Sequence, residues 1–587
     1  MINRELAKVL RQMGVFLEME ETPFKPAAYE RAALSVEALD KDVAEIFSRG
    51  GRQSLKQIPG VGEGIAKTIE EYLETGQITY LSRLKKKIPV DLDNLLAVEG
   101  IGPKTIKELW DKLRIKNLDD LEKAAEAKKI RKLANFGEKS EQNILQGIEF
   151  VRRSHGRFLL GEILPEIEQV LTELRRLEQV EKADIAGSLR RGKETIGDAD
   201  ILVISKNPQK VTDFFVSLPD IVKIWGQGTT KASIRTKQGF DIDLRIIPKK
   251  SYGAALQYFT GSKEHNIATR KIAIEKGLKL NEYGLFRGKK MIASSQEQDI
   301  YKALGLSYIE PELREDQGEI ESALQQFQGK LPGLPKLITN KDVLGDLHCH
   351  SHWDGGRDSI LEMARTAMSL GYQYIGIADH TKFLRIEHGL DEKQLLRQNR
   401  EIKSLNSKFQ STNSKQIPNS NFQILHGCEA NILNDGSIDI KDSILKKLDF
   451  VIAGIHSNMK MPRAQMTKRI IKAMENPNVD IISHPTGRIL QKRDEYEVDF
   501  EQILRAARTT STILEINASP DRLDLKDVNI RRAKNLGVKM IINTDSHRKE
   551  QLGVMKFGVF QARRGWAEKK DIINCWPLEK LITFLKQ

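Results

Sequence analysis

Seven short apolar runs in the last 240 residues each carry a histidine or an acid at or near their end. They are LGDLHCH (His348, His350), YIGIADH (His380), FQILHGCE (Glu429), FVIAGIH (His456), VDIISH (His484), ILEIN (Glu515) and MIINTDSH (Asp545, His547). Successive ends stand 27 to 32 residues apart, except for 49 between His380 and Glu429. Each interval is the length of one strand-plus-helix unit, about 30 residues. Seven strands with polar ends in register describe a (β/α) barrel, which places its site at the C-terminal rim. Nine of the eleven histidines lie in this region, and imidazole with carboxylate suits manganese, zinc or iron in a hydrolytic cluster. The three cysteines, Cys349, Cys428 and Cys575, form no CxxC pair, which excludes a disulfide framework or a thiolate zinc site.

The chain has 587 residues, so at roughly 150 residues per domain several folding units are expected. No apolar run approaches the roughly 18 residues needed to span a bilayer. The start, MINRELAKVLRQMGVFLEMEE, reads as an amphipathic charged helix, not a signal core, so a cytoplasmic location is expected. Lys plus Arg outnumber Asp plus Glu by 94 to 81, a formal +13, which favours a polyanionic partner. Residues 1–150 are balanced at 25 each, whereas residues 201–300 carry 17 basic and 9 acidic side chains.

Residues 1 to about 150 read as short helices with Gly or Pro at the breaks and no strand pattern. From about 183 to 315 the pattern is α+β, with strands such as ADILVIS and FDIDLRIIP. Residues 316–340 mix Gln, Gly and two prolines, the composition of a semi-rigid connector. Residues 404–421, rich in Ser and Asn, are expected to form a surface loop.

Three segments of the helical part suggest backbone-binding turns. Ile58-Pro59-Gly60-Val61-Gly62-Glu63-Gly64 precedes a helix, and Val98-Glu99-Gly100-Ile101-Gly102-Pro103-Lys104 repeats the arrangement. Leu133-Ala134-Asn135-Phe136-Gly137 is a weaker third copy. Glycines before a helix N-terminus let amides meet a phosphate oxygen closely, and such contacts hold a nucleic-acid backbone without reading its sequence. The alternative reading is plain helix-to-helix turns.

Gly187-Ser188-Leu189-Arg190-Arg191-Gly192 leads into Asp198-Ala199-Asp200. In a strand, alternate side chains share a face, so Asp198 and Asp200 jointly offer a site for divalent cations. Asp241-Ile242-Asp243 supplies a further acid on a second strand, with Asp241 and Asp243 facing a common side. A phosphate-binding turn beside such acids suits phosphoryl transfer with two metal ions.

At these residues the chain resembles the family X DNA polymerases, in the bacterial and archaeal form that carries a C-terminal polymerase and histidinol phosphatase (PHP) domain. The resemblance spans the chain through both hairpins, GSLRRG with DAD, FDIDLRIIP, Tyr258-Phe259-Thr260-Gly261-Ser262, Asn266, Arg270 and Asn281-Glu282-Tyr283. It implies a helical DNA-binding domain with the first hairpin over 1–85 and helical fingers with the second and third over 86–155. A nucleotidyltransferase palm over 156–260, a thumb over 261–315, a linker over 316–340 and a PHP phosphoesterase over 341–587 follow. By resemblance Asp198, Asp200 and Asp243 hold two Mg2+ ions, and Ser188 and Arg191 hold the triphosphate. Tyr258, Phe259, Gly261 and Asn266 surround the sugar and base, and Arg270 lies against the template. Lys25, Gly60, Gly62, Gly64, Gly100, Gly102 and Lys104 meet DNA. The barrel site, with His348, His350, His380, Glu429, His456, His484, Asp545 and His547 as ligands, takes up to three Mn2+ or Zn2+ ions.

Two departures stand out. The position of the Schiff-base lysine in family members with deoxyribose-phosphate lyase activity is Thr68 here, with Lys67 about 100° around the helix. In the barrel, the family motif His-x-His-Ser-x-x-Ser-Asp-Gly becomes His348-Cys349-His350-Ser351-His352-Trp353-Asp354-Gly355-Gly356. The acid has moved one place forward, leaving Gly355 at the ligand position. Asp354 re-registers, His352 substitutes, or one metal binds weakly. The expected protein is a monomeric, gap-filling DNA polymerase that uses deoxynucleoside triphosphates on gapped or primed duplex DNA, with a 3′-5′ exonuclease attached. The alternatives are a polymerase with a weak or purely structural barrel, and a non-catalytic DNA-binding scaffold.

Overall fold

The computed structural model describes residues 2–37, 39, 42–96, 98, 101–134, 136–154, 157–330, 332–411 and 422–585. They fall into two compact units, Met1–His155 and Gly156–Gln587. Among the described residues no helix is long and apolar enough to cross a membrane.

The first unit is helical and contains no strand among its described residues. Its first helix, Ile2–Met19, carries Leu6, Leu10, Met13 and Leu17 three and four residues apart, all fully buried. That stripe serves two cores. Leu6 and Leu10 join Val36, Ile65 and Ile69, whereas Met13 and Leu17 join Leu81, Ile106, Leu109 and Ile148.

The second unit begins with a five-stranded sheet in the spatial order Val180–Ile185, Asp198–Ser205, Asp241–Ile246, Lys231–Thr236, Ile221–Gln227. The two aspartate-bearing strands are parallel neighbours and the other pairs are antiparallel. Ile242, Leu244 and Ile246 alternate inward, so Asp241 and Asp243 face away from that core. A three-stranded antiparallel sheet, Lys279–Asn281, Gly284–Arg287 and Lys290–Ala293, follows with its helices.

The segment expected to be a connector is partly a helix, Glu319–Phe327. Glu319 is fully buried, accepts from the amides of Asp316 and Gln317, and pairs with His265 Nδ1 at 2.8 Å. That bond ties the start of the segment to the preceding domain, which its polar composition did not announce.

The barrel is built from parallel strands. Gly345–Cys349, Tyr374–Ile377 and Gln423–His426 form one run, and Glu429–Asn431, Ile452–Gly454, Ile481–Ile482, Ile513–Asn517 and Met540–Asn543 the other. Gln423–His426 and Glu429–Asn431 are one strand interrupted at Gly427 and Cys428, so the expected seven strand positions are present. Parallel bridges between Cys349 and Ser546 and between His380 and Glu429 close the ring. Residues 404–411 continue the helix Glu392–Ser411 instead of forming a loop, because Leu405 is buried and Asn406 bonds both backbone groups of Ile424. The rest of that insertion, 412–421, lies outside the described residues.

The barrel docks on the palm and thumb through buried ion pairs. Arg488 grips Glu194 at 3.1 and 2.8 Å, Arg563 pairs with Glu312 at 2.7 Å, and Phe560 lies on Gly192. Arg564 reaches Glu315 at 2.9 Å, the carbonyl of Arg191 at 3.1 Å, and Asp527 of its own domain. Truncating Arg564 to alanine is expected to lower stability by about 3 kcal/mol, since it leaves two mostly buried carboxylates short of a partner. A denaturant midpoint equal to that of the unmodified protein would contradict this.

Candidate active sites

In the palm, the parallel register sets Asp198 opposite Asp241 and Asp200 opposite Asp243. Only part of this quartet is free for cations. Asp241 is clamped by Arg235 at 2.8 and 2.9 Å and by Trp225 Nε1 at 2.9 Å. The Arg235 bond, with Trp225 and against burial, holds it below the usual carboxylate range. Asp243 accepts from Ser233 Oγ at 2.5 Å, with Lys231 and Arg245 at 3.4 and 3.3 Å. Asp200 is pushed up to about 6, first by burial and then by the charge of Asp198, with Asp243 adding to it. Acids packed so that one resists ionisation are short of positive charge, which divalent cations supply.

The GSLRRG turn stands against these acids. Gly187 has φ +64°, and a Cβ there would stand 2.6 Å from Asp200 Oδ2, so a side chain is excluded twice over. The two arginines divide their tasks. Arg190 is bound bidentately by Glu297 at 2.9 and 2.7 Å, and Glu297 also takes Arg314. Burial opposes ionisation of Glu297, but Arg314 and Arg190 outweigh it and hold it near 2, so this trio is structural. Arg191 instead lines an open cleft of about 610 Å³, where it meets Glu315 at 3.0 Å and the carbonyl of Thr260.

That cleft brings Ser188, Arg191, Asp198 and Asp200 together with Tyr258, Phe259, Gly261, Asn266 and Arg270. Asn266 is fixed by Gln257 and the carbonyl of Tyr258, and Arg270 Nε donates to the carbonyl of Asn266. Arg245 stacks over Phe259 at 4.5 Å. Arg157, Lys193, Lys263 and Glu315 also line the cleft and were not singled out in the sequence. Lys193 directly follows the turn motif and was within reach of such a reading, whereas Arg157 and Glu315 belong to no motif.

In the helical unit, three turns share one geometry. The amides of Val61, Ile101 and Phe136 bond the carbonyls of Ile58, Val98 and Leu133, and the carbonyls of Gly62, Gly102 and Gly137 accept the first helical bonds. Gly100 and Asn135 lie outside the described residues. Gly60 has φ +78°, which explains its identity. A Cβ on Gly62, Gly64 or Gly102 would meet nothing within 4 Å, so no contact within the protein excludes a side chain there. Alanine within the helix at Gly64 would be worth about 1 kcal/mol, so packing among the described residues does not account for the glycine. Lys25 and Lys104 are exposed at or next to helix starts.

At the barrel rim, Glu429 stands in the middle. Its carboxylate lies 3.4 Å from His348, 2.8 Å from His380, 3.4 Å from His456 and 3.1 Å from His484. Asp545 lies 3.6 Å from His348, 3.4 Å from His350 and 3.8 Å from His547. His348 Nε2, His350 Nε2, His380 Nδ1, His456 Nε2 and Glu429 Oε2 are buried with no hydrogen-bond partner among the described residues. Orphaned ligand atoms that converge in this way fit divalent cations, and four groups lie close enough to share one: His348-His350-Asp545, His380-Glu429-His456, His350-His380-His547 and His350-Asp354-Asp379.

The outer nitrogens are held as metal-bound imidazoles require. His348 Nδ1 meets Glu515 at 2.6 Å, and His456 Nδ1 meets Asn431 at 2.6 Å. His350 Nδ1 meets Asp354 at 2.7 Å. Glu515, read in the sequence only as a strand end, is therefore an orienting acid. Asp354 is another. It also accepts from the amides of His380 and Gly356, both at 2.8 Å, so it is fully engaged as a clamp on His350. Asp354 also stands with His350 and Asp379 in one of the ligand-range groups, whereas His352 is exposed and in none of them. Asp379, buried nearby, takes both groups of Ser351 and the amide of Gln398.

Comparison with known proteins agrees with this anatomy. The DNA polymerase beta thumb family matches residues 255–315, a helix-hairpin-helix domain matches 1–78, a SAM-like helix-hairpin-helix tandem matches 92–149, and the PHP domain matches 346–519. The DNA polymerase/3′-5′ exonuclease PolX of Bacillus subtilis is 36% identical over 592 positions that span the whole of both chains. Rat DNA polymerase lambda is 25% identical over 53% of this chain and 56% of its own. A probable phosphatase of Caldanaerobacter subterraneus is 33% identical over 34% of this chain and 75% of its own. The chain belongs to the family X DNA polymerases that carry a PHP domain.

Proposed function

We propose that this protein adds deoxynucleotides to a primer on gapped or primed duplex DNA and trims 3′ ends at a separate metal site. The observation that carries the reading is the convergence of Asp198 and Asp200 beside the GSLRRG turn in one open cleft, with Asp243 opposite Asp200 on the parallel neighbouring strand. Ser188 and Arg191 take the triphosphate there, Tyr258, Phe259, Gly261 and Asn266 bound the sugar and base, and Arg270 supports the template. Two Mg2+ ions on the three acids would favour ionisation of the primer hydroxyl and offset charge on the departing pyrophosphate. The hairpin turns at Gly60, Gly62, Gly64, Gly100, Gly102 and Lys104, with Lys25, hold the DNA backbone.

At the barrel rim, His348, His350, His380, Glu429, His456, His484, Asp545 and His547 hold Mn2+ or Zn2+, up to three ions, for phosphoester hydrolysis. The name of the Bacillus relative pairs polymerase with 3′-5′ exonuclease, which supports the same pairing here. The protein acts as a cytoplasmic monomer. Incubation with gapped and 3′-mismatched duplexes, in Mg2+ or Mn2+ and with or without nucleotides, tests the reading. Extension of the gapped primer and shortening of the mismatched one are expected, and failure of both would overturn it.

Lyase chemistry is not expected. Thr68 occupies the position of the nucleophile, its hydroxyl 3.1 Å from Tyr29 OH and donating to the carbonyl of Gly64 at 3.0 Å. A hydroxyl forms no Schiff base, and Lys67 is exposed on another face of the helix. Borohydride should trap no adduct with a 5′-deoxyribose phosphate end. Efficient trapping would assign the role to another lysine.

A further inference from the structure

The four ligand groups at the barrel rim are not equal. Three contain a carboxylate, Asp545 in one, Glu429 in another, and Asp354 with Asp379 in the last, whereas His350, His380 and His547 form a corner of three imidazoles. A divalent cation there lacks a charged ligand, and the nearby acids are committed: Asp354 to His350, His380 and Gly356, and Asp379 to Ser351 and Gln398.

One carboxylate beside the first strand-end loop, next to Asp354, is uncommitted. Glu387 is half-buried, and among the described residues no hydrogen bond or ion pair engages its side chain. It belongs to the turn Arg385–Glu387 in a loop whose ends are tied together at the site, since the amide of Leu390 donates to the carbonyl of His380 at 2.7 Å. Its Oε2 stands 2.1 Å from where a Cβ on Gly355 would be, immediately after the Asp354 clamp. Any side chain at 355 and the Glu387 carboxylate would compete for one space.

We propose that Glu387 is the charged ligand of the third cation, the one held by His350, His380 and His547, and that Gly355 is glycine to leave room for it. This rests on the reading of the rim as a metal site. Glu387 stands against Gly355, outside the groups already in ligand range of each other, and would turn toward the cation to bind it. The acid missing from the first strand-end loop is thus supplied by the loop after the second strand.

The test is a titration of metal-stripped, full-length protein with Mn2+, with the free ion read by its electron paramagnetic resonance signal. The palm contributes equally to every variant, so differences report the barrel. Glu387→Ala and the isosteric Glu387→Gln should each lose one tight ion, its affinity falling by about tenfold or more. Gly355→Asp combined with Glu387→Ala should recover it, because the new acid enters the vacated space. If both Glu387 variants titrate as the unmodified protein does, the proposal is wrong. If the double variant stays at the level of Glu387→Ala, the shared-space argument is wrong. If the unmodified protein binds no more Mn2+ than a His350→Ala, Asp545→Asn variant, the reading of the rim as a metal site fails instead.

Discussion

Asp200→Ala removes nucleotide addition, by a factor on the order of a thousand or more, while gapped DNA still binds. The expectation follows from what surrounds the carboxylate. It lies against Gly187 of the phosphate turn, and burial and its neighbouring acids push it up to about 6. A side chain so strained by like charge serves cations rather than the fold, so alanine should leave stability unchanged or raise it. Asp241→Asn makes the contrast, because Asp241 is occupied by Arg235 and Trp225 and its loss should affect stability before chemistry. Single-turnover extension and a gel shift on the same substrate separate the two effects. Extension retained by Asp200→Ala overturns the metal assignment.

The second large effect is in the barrel. Asp545→Asn should abolish removal of 3′-terminal nucleotides in Mn2+ and leave primer extension intact. Asp545 lies between His348, His350 and His547, with Arg522 behind it at 3.8 Å. The surrounding imidazoles, His348 foremost, overcome its burial and hold it well below the ordinary carboxylate range. The amide conserves volume but removes the charge that a hydrolytic cation needs. His350→Ala should have the same effect on hydrolysis with some loss of stability, because its fully buried ring stacks on His547 at 4.0 Å. Exonuclease activity that survives both substitutions would place it elsewhere in the chain.

Most of the barrel was legible because a parallel strand buried on both faces is a short apolar run, and the rim residue that ends it is read in place. The palm acids were legible for a related reason, since alternation along a strand fixes which side chains share a face. Alternation does not say which acid is already neutralised. The partners of Asp241 come from the next strand of the sheet, Arg235, and the one beyond it, Trp225, and only sheet order brings them there. The same limit explains the first strand-end loop. Counting residues put Asp354 one place from a ligand position, and its hydrogen bonds to His350 and His380 depend on a fold that counting does not supply. Glu387 belongs to no motif, and its significance arises from a loop closure forty residues from the histidine pair. Composition misled at 316–340, where one buried bond between His265 and Glu319 turns polar sequence into a packed helix.

The docking of Arg564 and Phe560 against the phosphate turn bears on how separable the two activities are. The residues that brace Arg191 and Gly192 from behind belong to the nuclease half, so cutting the chain before the barrel would strip the polymerase of part of its own wall. Selection for gap filling alone would then preserve the barrel as scaffolding even in a lineage that had lost every metal from its rim. Point substitutions at the rim, rather than truncations, are therefore the instrument for dissecting this enzyme, and persistence of the barrel among relatives is no measure of its chemistry.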